Sequence, residues 1–198
     1  MNKEQLKEYL DPYFELFEGI DCWIAGGCIR DFFINNEPED VDFWFKNKDD
    51  LKKALDICDS NFEFQKTLAR GKKFSVEHLE PSSIDLVCWD EAKDPMPFVG
   101  KTPEETISHF QYTIEMAAMD NEGNFYSHPT FYESCMSKTL IRNPSHKSWC
   151  RPNNQRLLRY LNQGYTIDMD NLKVFLDDQE KTFLYRKETG RQSNLGVK

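Results

Sequence analysis

No Cys-x-x-Cys pair occurs in this 198-residue sequence, nowhere do 18 apolar residues run together, no segment repeats, and no low-complexity stretch interrupts the chain. These absences exclude a paired-cysteine metal or redox motif, a membrane-spanning helix, a solenoid and a flexible linker. Histidine is scarce: His78, His109, His128 and His146 show no metal-ligand spacing, and each reads as a surface or satisfied polar residue. The six cysteines, Cys22, Cys28, Cys58, Cys88, Cys135 and Cys150, lie in several cases inside apolar runs and read as reduced core residues of an intracellular, cytoplasmic protein. Glu4, Glu8, Asp11, Glu15 and Glu18 give the N-terminal stretch an acidity that no secretion signal has.

What is present is aromatic and acidic. Fifteen Phe, 8 Tyr and 4 Trp supply enough large apolar surface for one folded domain, or one domain with a helical extension. The formal net charge of -9 is unevenly spread. Residues 1–137 carry 28 Asp and Glu against 13 Lys and Arg, net -15, whereas residues 138–198 carry 6 against 12, net +6. An acidic body concentrates divalent cations, and a basic segment meets phosphates.

Leu6, Tyr9, Leu10, Tyr13, Phe14 and Phe17 recur at helical spacing and predict a first helix, bent near Pro12. Ile20 to Ala25 reads as a buried strand stopping at Gly26-Gly27, after which a helix begins with Ile29-Arg30-Asp31. Val41 to Phe45 is a second strand, and residues 49–60 a helix covering the sheet. Phe43, Trp44 and Phe45 read as core rather than as base-stacking platforms. Three further strands are expected over 62–68, 73–79 and 83–89, the first two joined by a hairpin at Arg70-Gly71. Thr102, Pro103 and Glu105 have the pattern of a helix start: capping hydroxyl, proline at the first helical position, glutamate three residues after the cap. A hairpin turning at Asn121 to Gly123 follows, then two C-terminal helices beyond Pro152, with the last eight residues polar enough to fray.

The stretch from Trp23 to Phe45 carries the chemistry. Two glycines after a strand allow the backbone to approach a phosphate, and a helix starting there presents N–H groups to the anion. Asp40 and Asp42, separated by one residue on a strand, emerge on the same face and form a seat for divalent metal. Phosphoryl transfer needs neutralised charge and in-line geometry, which two metal ions about 3.5–4 Å apart supply. A third carboxylate is expected from a neighbouring strand. Asp85 is the candidate, an acid in the middle of an apolar run; its alternative is a strand residue pointing to solvent.

Gly26, Gly27, Arg30, Asp31, Asp40 and Asp42 match the G-G-x-x-R-D and D-x-D elements, at the usual spacing, of the class II head of the DNA polymerase beta superfamily, the tRNA CCA-adding enzymes and poly(A) polymerases, which this sequence resembles. The resemblance extends through Ser83 to Val87, like the strand carrying the third carboxylate, through residues 113–143, like the strand-turn-strand that closes the head and leads to a connecting segment, and into residues 156–168, like the start of the helical neck. It implies an α+β fold, a polymerase-beta-like nucleotidyltransferase head with a small mixed sheet and two or more helices on one face over residues 1–143, followed by a short helical neck over 144–198. The resemblance further implies that the body and tail with which larger members grip tRNA are missing.

Two departures stand out. The family's R-R-D-F-T-I-N is His109-Phe110-Gln111-Tyr112-Thr113-Ile114-Glu115 here, without the two arginines and the aspartate that help place sugar and triphosphate. The family's base-reading E-D-x-x-R is Pro152-Asn153-Asn154-Gln155-Arg156, with an amide in place of an acid.

The resemblance implies transfer of a nucleoside monophosphate from a nucleoside triphosphate to an RNA 3′ end, tRNA foremost. Mg²⁺ or Mn²⁺ would be held by Asp40, Asp42 and Asp85, and nucleotide by Gly26, Gly27, Arg30, Asn153, Arg156 and Arg159. Asp85 or another metal-bound carboxylate would help deprotonate the acceptor hydroxyl. Alternatives stay open. Ion pairs anchoring helix to sheet are the alternative for Arg30 and Asp31, favoured for Asp31 while Arg30 stays a phosphate contact, and a solvated basic face is the alternative for Arg156 and Arg159, three apart on a helix. Transfer to a protein or small-molecule hydroxyl, and a non-catalytic nucleotide- or RNA-binding descendant, are the competing functions.

Overall fold

The fold is seen in a computed structural model, which describes residues 2–68, 71–87, 102–143 and 154–189. Helix α1 (Lys3–Phe14) starts at a capping box in which Asn2 and Gln5 satisfy each other's backbone N–H groups, and it buries Leu6, Leu10, Tyr13 and Phe14. It runs on through Pro12 to Phe14 before tightening into a 3₁₀ turn at Glu15–Phe17. Strand β1 (Cys22–Ala25) is buried throughout and gives way at Gly26 to helix α2 (Gly27–Phe33). Strand β2 (Val41–Phe45) alternates buried and half-buried residues, and helix α3 (Lys48–Asn61) follows from an Asn47 cap. Strands β3 (Glu63–Leu68), β4 (Gly71–Ser75) and β5 (Ser83–Val87) form a meander.

Helix α4 (Pro103–Ser108) begins where Thr102 accepts from the Glu105 N–H, as its sequence predicts. Strands β6 (Ala117–Asp120) and β7 (Phe125–Ser127) make the expected hairpin, its turn fixed by Asp120 Oδ1 accepting from the N–H groups of Glu122 and Asn124. Residues 131–137, within the 113–143 stretch read as strand-turn-strand, form helix α5 (Phe131–Ser137), because Phe131, Ser134 and Cys135 fall on one buried face. Helices α6 (Asn154–Asn162) and α7 (Met169–Thr189) follow. None of the described helices is long and apolar enough to cross a membrane. Cys22, Cys28, Cys58 and Cys135 are free and buried, as expected, while Cys88 and Cys150 lie outside the described residues.

The seven described strands make one mixed sheet in the order β3-β4-β5-β2-β1-β6-β7, as the expected α+β fold requires. Every neighbouring pair is antiparallel except β2 and β5. Strand alternation divides the side chains between two faces. Cys22, Ile24, Val41, Phe43, Phe45, Phe74, Ile84 and Leu86 join the main core, which also takes apolar residues of α1, α2, α3 and α5, together with Leu157, Tyr160, Tyr165 and Phe175. Each large side chain buried in this way contributes about 1.5–3 kcal/mol. On the other face Trp23, Ala25 and Ala118 pack under Ile107 of α4, joined by Met116, Trp44 and Phe110. That face is apolar over β1 and β6, and polar over β4, β5 and the start of β2. Of the three aromatics expected in the core, Phe43 and Phe45 are there, and Trp44 packs against Phe110 on the opposite face.

Candidate active site

The polar half of the second face is built by register alone. Asp42 pairs with Asp85 across the parallel β2–β5 ladder, Asp85 with Lys73 across β4–β5, and Lys73 with Lys66 across β3–β4. Partners in register project to the same face, so two acids and two lysines stand in a row, with Asp40 just before β2. Asp85 is buried and Asp42 half-buried. The structure thus brings Asp40, Asp42 and Asp85 to one neighbourhood, and Asp85 is no solvent-facing strand residue.

Between them stands a residue that the sequence did not single out. Lys73 Nζ donates to Asp40 Oδ2 at 2.8 Å and lies 3.3 Å from Asp85 Oδ1. Asp85 Oδ1 is nonetheless a buried oxygen with no well-formed hydrogen bond among the described residues. Burial pushes the Asp85 carboxyl above the usual carboxylate range, Lys73 opposing and Asp40 adding to the rise. Asp42 is raised further, to about 7, by withdrawal from water and then by Asp40 and Asp85, against the pull of Arg156 and Lys73. Acids crowded together in this way oppose folding, and perturbed carboxyls of this kind cluster at functional sites.

Three carboxylates are the donor type that Mg²⁺ and Mn²⁺ prefer, and the unmet oxygen of Asp85 suits a hard cation. The residues fit such a metal in kind. In arrangement, no group of three or more His, Cys, Asp or Glu side chains among the described residues comes together as a ligand cluster. Asp40 and Asp85 meet the Lys73 ammonium instead.

Gly26 borders the acids. Its φ of +100° lies where only glycine is comfortable, and a Cβ there would stand 3.7 Å from the Phe110 ring and 3.9 Å from Asp42 Oδ2. The Gly26 N–H is spent on the Ala117 carbonyl at 3.0 Å. Phe110, at one of the positions where the family carries arginine, lays an apolar ring beside the glycine turn.

Arg30 points away from solvent. It is buried, pairs through Nε and Nη2 with both oxygens of Asp31 at 2.9 and 2.7 Å, and donates from Nη1 to the Tyr160 hydroxyl at 2.9 Å. The Tyr160 hydroxyl in turn donates to Glu115 Oε1 at 2.5 Å, and Arg156 Nη1 stands 3.3 Å from the same oxygen. The geometry gives Arg30 and Asp31 the anchoring arrangement, tying α2 to α6 through Tyr160; a phosphate would reach Arg30 only by breaking it. Burial would raise the Glu115 carboxyl, but Arg156, the Tyr160 hydroxyl and Arg30 outweigh it and hold the group below the usual range.

Arg156 is half-buried on α6 between Glu115 and the field of Asp42, and Arg159 is exposed, its guanidinium 5.5 Å from the centre of the Tyr160 ring. The charge of Arg156 acts on Asp42, and that of Arg159 on Asp31. Asn153, the remaining expected nucleotide contact, lies outside the described residues, as does His146. Lys73, Glu115, Tyr160 and Phe110 were not among the expected site residues. Lys73 carries no local signal, since its place depends on the register of β4 against β5, whereas Glu115 and Phe110 were visible as departures from the family pattern.

A family model described as Gabija anti-defense 2 family protein matches residues 1–138. No curated protein matches the chain. Solved structures do. A CCA-adding enzyme in complex with CTP has a TM-score of 0.61 at 15% identity, over 92% of this chain and 47% of that one. A tRNA nucleotidyltransferase with a primer tRNA and an incoming ATP analog has 0.58 at 15%, over 92% and 51%. The Thermotoga maritima CCA-adding enzyme with tRNA has 0.57 at 13%, over 93% and 42%. The fold is therefore the CCA-adding enzyme head fold, and the chain spans about half the length of these neighbours.

Proposed function

The chain belongs to the Gabija anti-defense 2 family, and from that premise we propose that it is a metal-dependent nucleotidyltransferase, moving a nucleoside monophosphate from a nucleoside triphosphate onto an RNA 3′ end, with tRNA the first acceptor to try. One observation carries the reading. Asp42 and Asp85 are register partners on the only parallel strand pair among the described strands, with Asp40 beside them and the Gly26 turn at their edge, in a CCA-adding enzyme head fold. The family name gives the activity its setting, anti-defense.

Asp40, Asp42 and Asp85 would hold Mg²⁺ or Mn²⁺, which when bound neutralises the triphosphate and lowers the barrier to in-line displacement. The residues of the chain do the rest. Asp85, its carboxyl raised by burial, is suited to accept the proton of the acceptor hydroxyl. The Gly26 turn leaves room beside Asp42 for a substrate that any side chain there would narrow. Arg156 is the cation on α6 placed to meet triphosphate oxygens, held in position by Glu115. The Arg30–Tyr160–Glu115 chain fixes α6 against the head and so sets where Arg156 reaches.

The test is incubation with each labelled nucleoside triphosphate, Mg²⁺ and total tRNA. Label should enter RNA with wild-type protein and not with Asp40→Ala/Asp42→Ala. Absence of incorporation, or incorporation unchanged by that double substitution, would refute the reading. A protein or small-molecule hydroxyl is the second acceptor class, favoured by the net -15 of residues 1–137, which gives RNA little to hold. A mass gain of one nucleotide on protein, with tRNA unlabelled, decides for it.

A further inference from the structure

Lys73 is the part of the site that a three-carboxylate metal centre does not predict. It sits within β4, paired on one side to Lys66 of β3 and on the other to Asp85 of β5, so its backbone has no freedom to turn the side chain elsewhere. A lysine on a strand ordinarily carries its ammonium out to water along the apolar stem. This one does not: the side chain is 14% exposed, and Nζ lies between Asp40 Oδ2 at 2.8 Å and Asp85 Oδ1 at 3.3 Å. Those are the oxygens a divalent cation would need.

We propose that Lys73 is a resident cation of the acid site, exchanged for divalent metal rather than coexisting with it, so that its ammonium sets the threshold for metal binding. This rests on the reading of Asp40, Asp42 and Asp85 as metal carboxylates. The physical reason is competition for the same oxygens. Three carboxylates gathered across β2 and β5 repel one another, and one ammonium offsets part of that repulsion before any metal arrives. A divalent cation entering the site must displace a charge that already has two partners, and the freed ammonium then lies beside the metal. Metal alone therefore binds weakly. Removing the ammonium leaves the acids uncompensated and raises their affinity for a divalent ion.

Two measurements without nucleotide test this. In the first, Mn²⁺ binding is followed by electron paramagnetic resonance for the full chain, for Lys73→Met and Lys73→Gln, and for Asp40→Ala/Asp42→Ala, with circular dichroism to establish folding. Both lysine variants should bind Mn²⁺ tighter by about tenfold or more, since removing one adjacent unit charge is worth at least that factor, and the double aspartate variant should lose binding. In the second, which needs no variant, wild-type protein is acetylated by an amine-reactive ester with and without Mn²⁺ and each lysine read by mass spectrometry. Lys73 should be protected without metal and become more reactive with it, relative to the exposed Lys53 as internal standard.

Mn²⁺ affinity unchanged or weakened in folded lysine variants, or Lys73 labelling indifferent to Mn²⁺, overturns the proposal. If the aspartates are needed for Mn²⁺ binding but Lys73 has no influence on it, the resident-cation idea fails while the metal reading stands. Binding to none of the proteins removes both the exchange and the metal's role, leaving the transfer assay to judge the activity by itself.

Discussion

Asp42 on β2 and Asp85 on β5 face the same way as register partners across the one parallel ladder among the described strands, and Lys73 stands on the far side of Asp85 in the same row. Such a row opposes stability. It brings like charges to one face and withdraws them from water, and the Asp42 carboxyl, raised to about 7, registers that conflict.

A carboxyl whose folded value is raised above its unfolded one binds its proton more tightly when folded. Its ionisation therefore destabilises the fold above about pH 7, and the penalty fades as pH falls toward the unfolded value near 3.8. Asp42→Asn should be more stable than wild type by about 2 kcal/mol at pH 8 in the presence of chelator, with the difference closing on acidification. Thermal melts across pH check it. A variant that melts below wild type at pH 8 would show that Asp42 is a structural acid rather than a strained one.

Glu115 behaves oppositely. Its folded value is depressed, so its contribution is complete above the unfolded value of 4.5 and is lost as pH falls through the folded one. Glu115→Gln should remove about 3 kcal/mol, since it leaves the Arg156 and Tyr160 groups short of a buried charged partner, and the gap to wild type should shrink below pH 4.5. Denaturant melts at pH 7 and pH 4 give both numbers. Parallel curves for the two proteins would mean that Glu115 does not carry the docking of α6.

Tyr160→Phe keeps the ring against Arg30 and deletes the hydroxyl that joins Arg30 to Glu115. The expected loss is about 1–3 kcal/mol, the penalty of leaving buried polar groups unmet. Because α6 carries Arg156, nucleotide affinity should fall with it. Calorimetry with a nucleoside triphosphate is the check, and unchanged affinity in a destabilised variant would separate docking from nucleotide binding.

Much of this architecture is legible from local pattern. The alternation of Val41, Phe43 and Phe45 with Asp42 and Trp44 defines β2 and assigns its acid to the face opposite the main core, and Thr102-Pro103-x-Glu105 defines the start of α4. The turn around Gly123 is equally local. What the sequence hides is non-local. Helix α5 has only seven residues, too few for a helical period to stand out from a loop. Lys73 looks like any surface lysine until the β4–β5 register places it opposite Asp85. The family pattern marks Arg30 as a phosphate contact, but Tyr160 and Glu115, 130 and 85 positions away, complete the network that occupies it.

Gly26 offers a steric test. Gly26→Ala must adopt a φ of +100° with a side chain, a strain of about 1–3 kcal/mol, and its methyl would fill the gap between Phe110 and Asp42. Stability should drop by that amount, and nucleotide-dependent activity by considerably more. A variant that loses stability but keeps full activity would place the substrate elsewhere on the sheet.

The central claim is that these acids serve nucleotidyl transfer, and the most direct measurement compares wild type with Asp42→Asn for label incorporated from a nucleoside triphosphate and for pyrophosphate released, in the presence of Mg²⁺ and total tRNA. The account predicts matched incorporation and pyrophosphate for wild type, and neither for a variant that is folded and at least as stable. Equal transfer by the two proteins would contradict it.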